Sequence, residues 1–328
     1  MPSVEITASS ASPRRVFMVL SPRSLGYSKF ALESLFRNSA EQIHLHLITD
    51  SAADKESLVE EITQRQSPGA HLWTVYAEDE LAGREESLFA PYVHLRQFRH
   101  GHPCWRKITD PVLLSQDGDE MVLLDPDLYF PNRFCFEPTP ETGVLLMWQR
   151  PCCLLPAETV RSGMEQGIRF AHHVDIGVGA WRAPVDLEWL DWLIGRLNVQ
   201  QHSRVMHIEA IIWAALAMHI GGGYLDPNLW QCWRFHQHRR VLLKLGVPGV
   251  KLLGAESFSK LKCFHAGGHA KYWLAEAQQN GLLDGGQTHI SPGQILPYEE
   301  LIPSDFYREQ RAKDILRRLG YYSLFRQY

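Results

Sequence analysis

The run Met121 to Leu124 is unbroken apolar sequence, and it ends abruptly in Asp125-Pro126-Asp127. Consecutive apolar residues without alternation suit a strand buried on both faces, the kind found at the centre of an α/β sheet. Open sheets of that class place their ligands just beyond the carboxyl ends of the strands, where these two carboxylates stand. A hard divalent cation prefers oxygen ligands and shares its shell with substrate phosphates, so the pair suits magnesium or manganese. Asp and Pro are also turn formers, and on the tripeptide alone a surface turn is an equal reading.

The flanking sequence fits such a sheet. Arg15 to Leu20 reads as a short buried strand. A Ser-Pro-Arg-Ser-Leu-Gly loop follows, and Ser28 is placed to cap a helix with Ala31, Leu32, Leu35 and Phe36 on its apolar face. Ile43 to Ile48, His71 to Tyr76 and Gly143 to Trp148 are further strand candidates, and the β-loop-α-β opening predicts parallel pairing. Pro184 and Asp186 open a helix carrying Leu187, Leu190, Leu193, Ile194 and Leu197. Ile208, Ile211, Ile212, Ala215 and Leu216 mark another, stopped by Gly221 to Gly223. From Ser304 to Leu319 a charged helix is expected to dock through Ala312, Ile315, Leu316 and Leu319. The organisation read from this pattern is a disordered tail over 1–14, one α/β domain over 15–285 and a helical extension over 286–328.

Composition narrows the function. The chain has 328 residues, 45% hydrophobic and 21% charged, enough apolar surface for a sizeable core. A net charge of −4 with no basic run argues against binding long nucleic acid. Met1 to Arg15 lacks the apolar stretch of a secretory signal, and the longest apolar run, around Ile211 to Ala217, is too short to span a bilayer. A cytoplasmic protein without a transmembrane segment is expected. The 6 cysteines contain no CxxC pair and read as reduced structural thiols, while 16 histidines raise the prospect of a metal or phosphate site.

Cys263 to Trp273 supplies such a site. His265, Gly268, Lys271 and Trp273 recur at offsets that let an imidazole complete the shell of a borderline metal such as manganese. The glycines let backbone amides approach phosphate, and Lys271 adds a point charge. Taken alone, this is also what a Gly-rich loop with a satisfied histidine looks like.

Together, HxxGxxKxW near the C-terminus, DxD after an apolar strand and Asp-Ile-Gly-Val at 175 to 178 resemble family eight glycosyltransferases, the glycogenin and lipopolysaccharide galactosyltransferase group. The resemblance runs in order from about Val16 to Trp273. It implies an α/β fold of GT-A type, the nucleotide-diphospho-sugar transferase fold: a single mixed, mostly parallel sheet flanked by helices, here with the helical C-terminal extension. It further implies a nucleotide-sugar donor, usually a UDP-sugar, manganese or magnesium as cofactor, and hexosyl transfer with retention to a carbohydrate or other hydroxyl-bearing acceptor.

Carried over by position, the resemblance makes Asp125, Asp127 and His265 the metal ligands, and Gly268 and Lys271 diphosphate contacts. Lys107 falls where the family has a donor-binding Arg, and Asp125 itself belongs to the donor site. Tyr27 is in register with a family tyrosine, whereas Ser21-Pro22-Arg23 replaces the acidic residue after the first strand. Asp175 stands where the family has Asn beside the donor sugar. Glu209 takes roughly the place of an Asp-Gln pair near the reacting carbon, which makes Glu209 and Asp175 the catalytic candidates.

Other residues read mainly as structure. His172 and His173, adjacent on a strand, should point to opposite faces and so not serve one ion. Trp181, Trp189, Trp192 and Trp213 read as core, whereas Trp230 and Trp233, on an expected loop, read as acceptor-pocket residues. His94, His100 and His102 are further candidates for the donor cleft. Two other function classes remain open: a sugar nucleotidyltransferase or nucleotide-sugar hydrolase, and a carbohydrate-binding protein without turnover.

Overall fold

The computed structural model describes residues 12–65, 71–151, 153–202, 205–233, 237–283, 289–321 and 323. The expected tail over 1–14 therefore lies mostly outside the described residues. From the first described segment the chain runs through β1 (Arg14–Val19), α1 (Leu25–Asn38), β2 (Ile43–Thr49), α2 (Ala52–Arg65) and β3 (Leu72–Ala77). Three helices follow, α3 (Ala82–Phe89), α4 (Val93–Arg99) and α5 (Arg106–Leu114), before β4 (Glu120–Leu124) and the short β5 (Leu128–Tyr129). Then come β6 (Val144–Trp148), α6 (Ala157–Glu165), β7 (Val174–Arg182), α7 (Leu187–Arg196) and α8 (Ile208–Ile220). The remainder is β8 (Gly222–Leu225), β9 (Trp230–Cys232), α9 (Gln237–Lys244), α10 (Gly249–Leu253), β10 (Cys263–His265), α11 (Leu274–Gln279), β11 (Ile295–Leu296) and α12 (Pro303–Arg318).

The main sheet has eight strands in the order β11-β8-β6-β7-β4-β1-β2-β3. From their pairings, β3, β2, β1, β4, β6 and β8 all run one way, and β7 and β11 run against them. The expected mixed, mainly parallel α/β architecture is thus present. Neighbouring strand residues serve opposite faces: Phe17, Leu123 and Leu146 pack on one side, and Val16, Met18, Val122, Leu124 and Leu145 on the other. Met121 to Leu124 is buried on both, as its unbroken apolar run requires.

A second sheet, β5-β10-β9, sits past the end of β4. Its outer face joins α10 and α11 in a separate core that includes Tyr129, Trp233, Leu253 and Phe264. Trp230 and Trp233 belong here: both are buried, Trp230 within β9, so they support the small sheet and do not form the loop pocket expected for them.

Several elements depart from the sequence reading. Ser28 is buried inside α1, which begins at Leu25, so it does not cap the helix. The Gly-rich stop after α8 is real at Gly221, but Gly222 and Gly223 continue directly as β8 beside Val144 and Leu145. The 286–328 region supplies a strand as well as a helix, since β11 pairs with β8. In α12 only Phe306 is buried; Ile315 and Leu319 are 57% and 76% exposed, so the helix does not dock through its expected stripe. Trp181 and Trp213 are core, whereas Trp192 is 43% exposed.

Candidate active site

The polypeptide leaves β4 at Leu124 and is held there by the Asp125 N–H, which donates to the Gly177 carbonyl of β7 at 2.8 Å. It then enters β5, whose Leu128 lies opposite His265 of β10, and the Ala266 N–H donates to the Asp127 carbonyl at 2.9 Å. Two sheets meeting at Asp125-Pro126-Asp127 therefore bring His265 to both carboxylates. Its Nε2 is 3.2 Å from Asp127 Oδ1 and 3.8 Å from Asp125 Oδ2.

The other imidazole nitrogen is fixed as well. His265 Nδ1 lies 2.8 Å from Asp175 Oδ1, which also accepts from the Gly177 N–H at 2.9 Å. Asp175 thus touches His265 from behind, the way a carboxylate orients a metal-binding histidine and leaves Nε2 facing the ion. Gly177 makes room for the pair: a Cβ there would lie 2.6 Å from His265 Nδ1. Cys232 flanks the same nitrogen at 4.0 Å.

Lys107 and Glu209 face each other across the floor. All of α5 is buried, and so is α8 from Ile208 to Ala217. A buried charge needs a partner, and each supplies the other's. Lys107 Nζ sits 2.5 Å from Asp125 Oδ1 and 2.9 Å from Glu209 Oε1. Glu209 Oε2 is buried with no hydrogen-bond partner among the described residues.

At the rim, Lys271 Nζ is 3.5 Å from Asp127 Oδ2 and lies 4.6 Å from the centroid of the Tyr27 ring. Tyr27 donates its hydroxyl to Ser24 at 2.9 Å. Ser21 is half-buried just past β1, and Gly268 adopts a left-handed φ of 65°, which favours glycine there. Of the other histidines, His102 and His207 are close enough to Lys107 to feel its charge, while His100 pairs with Glu78 and Glu85, and His94 packs against Gly195.

These contacts set the protonation of the site. Burial alone would raise Asp127, but His265, Lys271 and Lys107 outweigh it and hold the carboxyl down at about 2. Burial opposes charge on His265, yet Asp175 and Asp127 together raise its pKa well above the usual value. Glu209 goes the other way: burial, only partly offset by Lys107, pushes it up to about 8. Asp125 is also raised by burial, against the pull of Lys107 and His265.

The donor set fits a divalent cation. One ligand atom from each of Asp125, Asp127 and His265 lies within 4.8 Å of the other two, and two carboxylates with one imidazole suit manganese ahead of magnesium, which favours oxygen more strongly. His102, one of the three histidines offered for the donor cleft, does lie near Lys107, whereas Cys232 and His207 were not offered as site residues by the sequence: they carry no local motif and are brought in by the fold.

No protein-family model matches this sequence, and no curated protein matches it. Solved glycosyltransferases resemble the structure. Mouse xyloside xylosyltransferase 1 in its apo form superposes with a TM-score of 0.48 at 12% identity, over 79% of this chain and 99% of that one. Streptococcus pneumoniae TIGR4 glycosyltransferase GlyE gives 0.43 at 13%, over 93% of this chain and 64% of its own. The galactosyltransferase LgtC, solved with donor and acceptor sugar analogues, gives 0.41 at 13%, over 82% and 95%. Among the described residues no helix is long and apolar enough to cross a membrane.

Proposed function

We propose that this chain is a metal-dependent glycosyltransferase, moving a hexosyl group from a nucleotide-diphosphate sugar to a hydroxyl-bearing acceptor. The observation that carries the reading is His265: Nε2 faces both carboxylates beyond β4, while Nδ1 is held by Asp175. Asp125, Asp127 and His265 would hold Mn²⁺ or Mg²⁺. Bound there, the cation neutralises the charge that builds on the leaving diphosphate.

The chain's own groups do the rest. Lys271, on the exposed side of Asp127, adds positive charge where the diphosphate departs, and Tyr27 beneath it confines its ammonium. Glu209 meets the acceptor with its unpartnered Oε2 while Lys107 fixes its other oxygen. The anomeric carbon–oxygen bond to the diphosphate breaks, a bond to the acceptor oxygen forms, and the hydroxyl proton passes to Glu209. A carboxyl raised to about 8 is matched to accepting that proton near neutral pH. Asp175 positions His265 and need not touch the sugar. UDP as the nucleotide and retention of configuration are further parts of the proposal, supported by the resemblance of the sequence motifs, and a cytoplasmic setting is proposed with them.

The same buried, unpartnered oxygen would serve a water molecule as it would an acceptor hydroxyl, so hydrolysis of the donor is the second reading. Both are tested by melting the protein with Mn²⁺ and UDP, GDP or ADP and their sugar conjugates, since a ligand bound only by the folded state at about 100 times its Kd adds about 2.7 kcal/mol. One nucleotide should raise the melting temperature only with metal, and Asp125→Ala and His265→Ala should both abolish the shift. A shift that survives either substitution or added chelator sinks the metal role. Release of free sugar without acceptor would favour the hydrolase.

A further inference from the structure

A second cluster of metal-binding side chains lies at the start of β7, apart from the three residues above. His172 and His173 are adjacent, and in an extended strand their rings would point to opposite faces. They do not: the rings stack with centroids 3.6 Å apart and planes 19° from parallel, correcting the sequence expectation. The cause is His173, whose φ of 53° lies in the left-handed region, a conformation that costs a non-glycine residue about 1 kcal/mol or more.

The surroundings hold that conformation in place. The His173 carbonyl accepts from the Gln149 N–H at 2.7 Å, and the His172 N–H donates to the Glu299 carbonyl at 2.7 Å. Ala171 bridges Glu300, and the Leu301 N–H donates to the Phe170 carbonyl at 2.8 Å. This short antiparallel pairing sets Glu299 beside both rings. Glu299 Oε2 is 3.9 Å from His173 Nε2, and Glu309 of α12 is 3.5 Å from His172 Nε2. One ligand atom from each of His172, His173 and Glu299 lies within 4.8 Å of the other two. Both histidines are more than nine-tenths buried, and His173 Nδ1 has no hydrogen-bond partner among the described residues.

We propose that His172, His173 and Glu299 form a second cation site, selective for zinc or a similar borderline transition ion. Two imidazoles and one carboxylate are a common zinc donor set, whereas magnesium and calcium prefer all-oxygen shells. Tetrahedral zinc with nitrogens at about 2.05 Å needs those nitrogens about 3.4 Å apart and the ion in the plane of each ring, so binding would turn the two neighbouring rings out of their parallel stack toward the ion. The ion would clip the segment leading into α12 to the sheet, with Glu309 oriented toward His172. The left-handed turn at His173 is thereby explained as the device that puts both rings on one side.

The test counts zinc bound by chelator-stripped protein, by calorimetry, in wild type and in Asp127→Ala. Two equivalents in wild type and one tight equivalent remaining in Asp127→Ala are expected. In that background Glu299→Gln, at an exposed side chain, and His173→Gly, which tolerates the same φ, should each weaken the remaining equivalent about 100-fold or more. Both should melt like their parent in chelator, and Co²⁺ should give tetrahedral visible absorption that disappears in both. Should His173→Gly fail to fold, Glu299→Gln alone decides. Zinc affinity unchanged by Glu299→Gln, or no tight zinc in Asp127→Ala, overturns the proposal.

Discussion

His46 shows how far a single buried group can set the behaviour of the protein. It sits in β2 at 5% exposure, stacked on Phe17 at 4.8 Å and on Tyr76 at 5.9 Å, and neither ring nitrogen has a hydrogen-bond partner among the described residues. Burial, with the positive fields of His44 and Arg15 behind it, lowers its pKa to about 3. The folded pKa is below the unfolded one, so the unfolded chain takes up the proton first. Stability is therefore intact above the unfolded value of 6.5 and declines as pH falls toward 3. The slope from this one residue is up to about 1.4 kcal/mol per pH unit. His46→Phe, which keeps the stack and removes the proton site, should flatten that decline; denaturant melts between pH 6 and pH 4 measure it. At the same scale, Asp125, Asp127, His265 and Lys271 were picked out from sequence because each lies in a short motif. The Asp175–His265 contact joins residues 90 apart, and only strand register creates it. Trp230 was misplaced because a three-residue strand in a Gly- and Pro-flanked stretch leaves no periodic trace, and Trp233, just past that strand, is buried by contacts with distant Phe264 and Trp273.

At the level of elements, short runs rich in apolar and β-branched residues located β1, β2, β3, β4 and β6 to within a residue or so; in β4 and β6 the run is unbroken, as burial on both faces requires, while His44 and His46 interrupt it in β2 and Thr74 in β3. The small strands β5 and β8 to β11 were not legible: two to four residues cannot establish a period, and their partners are distant. Helix α12 was recognised as a helix, but its mode of attachment was not. A charged helix with scattered aliphatics presents more than one possible stripe, and here its first turn anchors through Phe306 while Ile315 stays in solvent. Phe306→Ala should therefore cost about 3 kcal/mol, as a filled core position does, and Ile315→Glu should change stability by less than about 0.5 kcal/mol. Equilibrium urea unfolding of the two variants distinguishes this attachment from the stripe the sequence favoured.

For the whole molecule, the segment from 289 onward reaches back to three separate places. Ile290 bridges Phe134, β11 covers the edge of β8, and Glu300 bridges Ala171. A chain terminated after residue 288 would leave β8 as an open edge, which is a template for pairing with other chains. Such a chain should lose its single cooperative melt and sediment as aggregates at concentrations where the 328-residue chain stays monodisperse. The same stitching has a meaning in time. A ribosome delivers β1 to β3 first, and these neighbours pair locally as soon as they emerge. The stretch between Leu225 and Leu296 takes about 4 to 14 s to synthesise at 5–20 residues per second, and throughout that interval β8 has no strand on its outer side. The nascent chain therefore waits on β11, and until it arrives the β8 edge is the surface a cellular chaperone has most reason to cover.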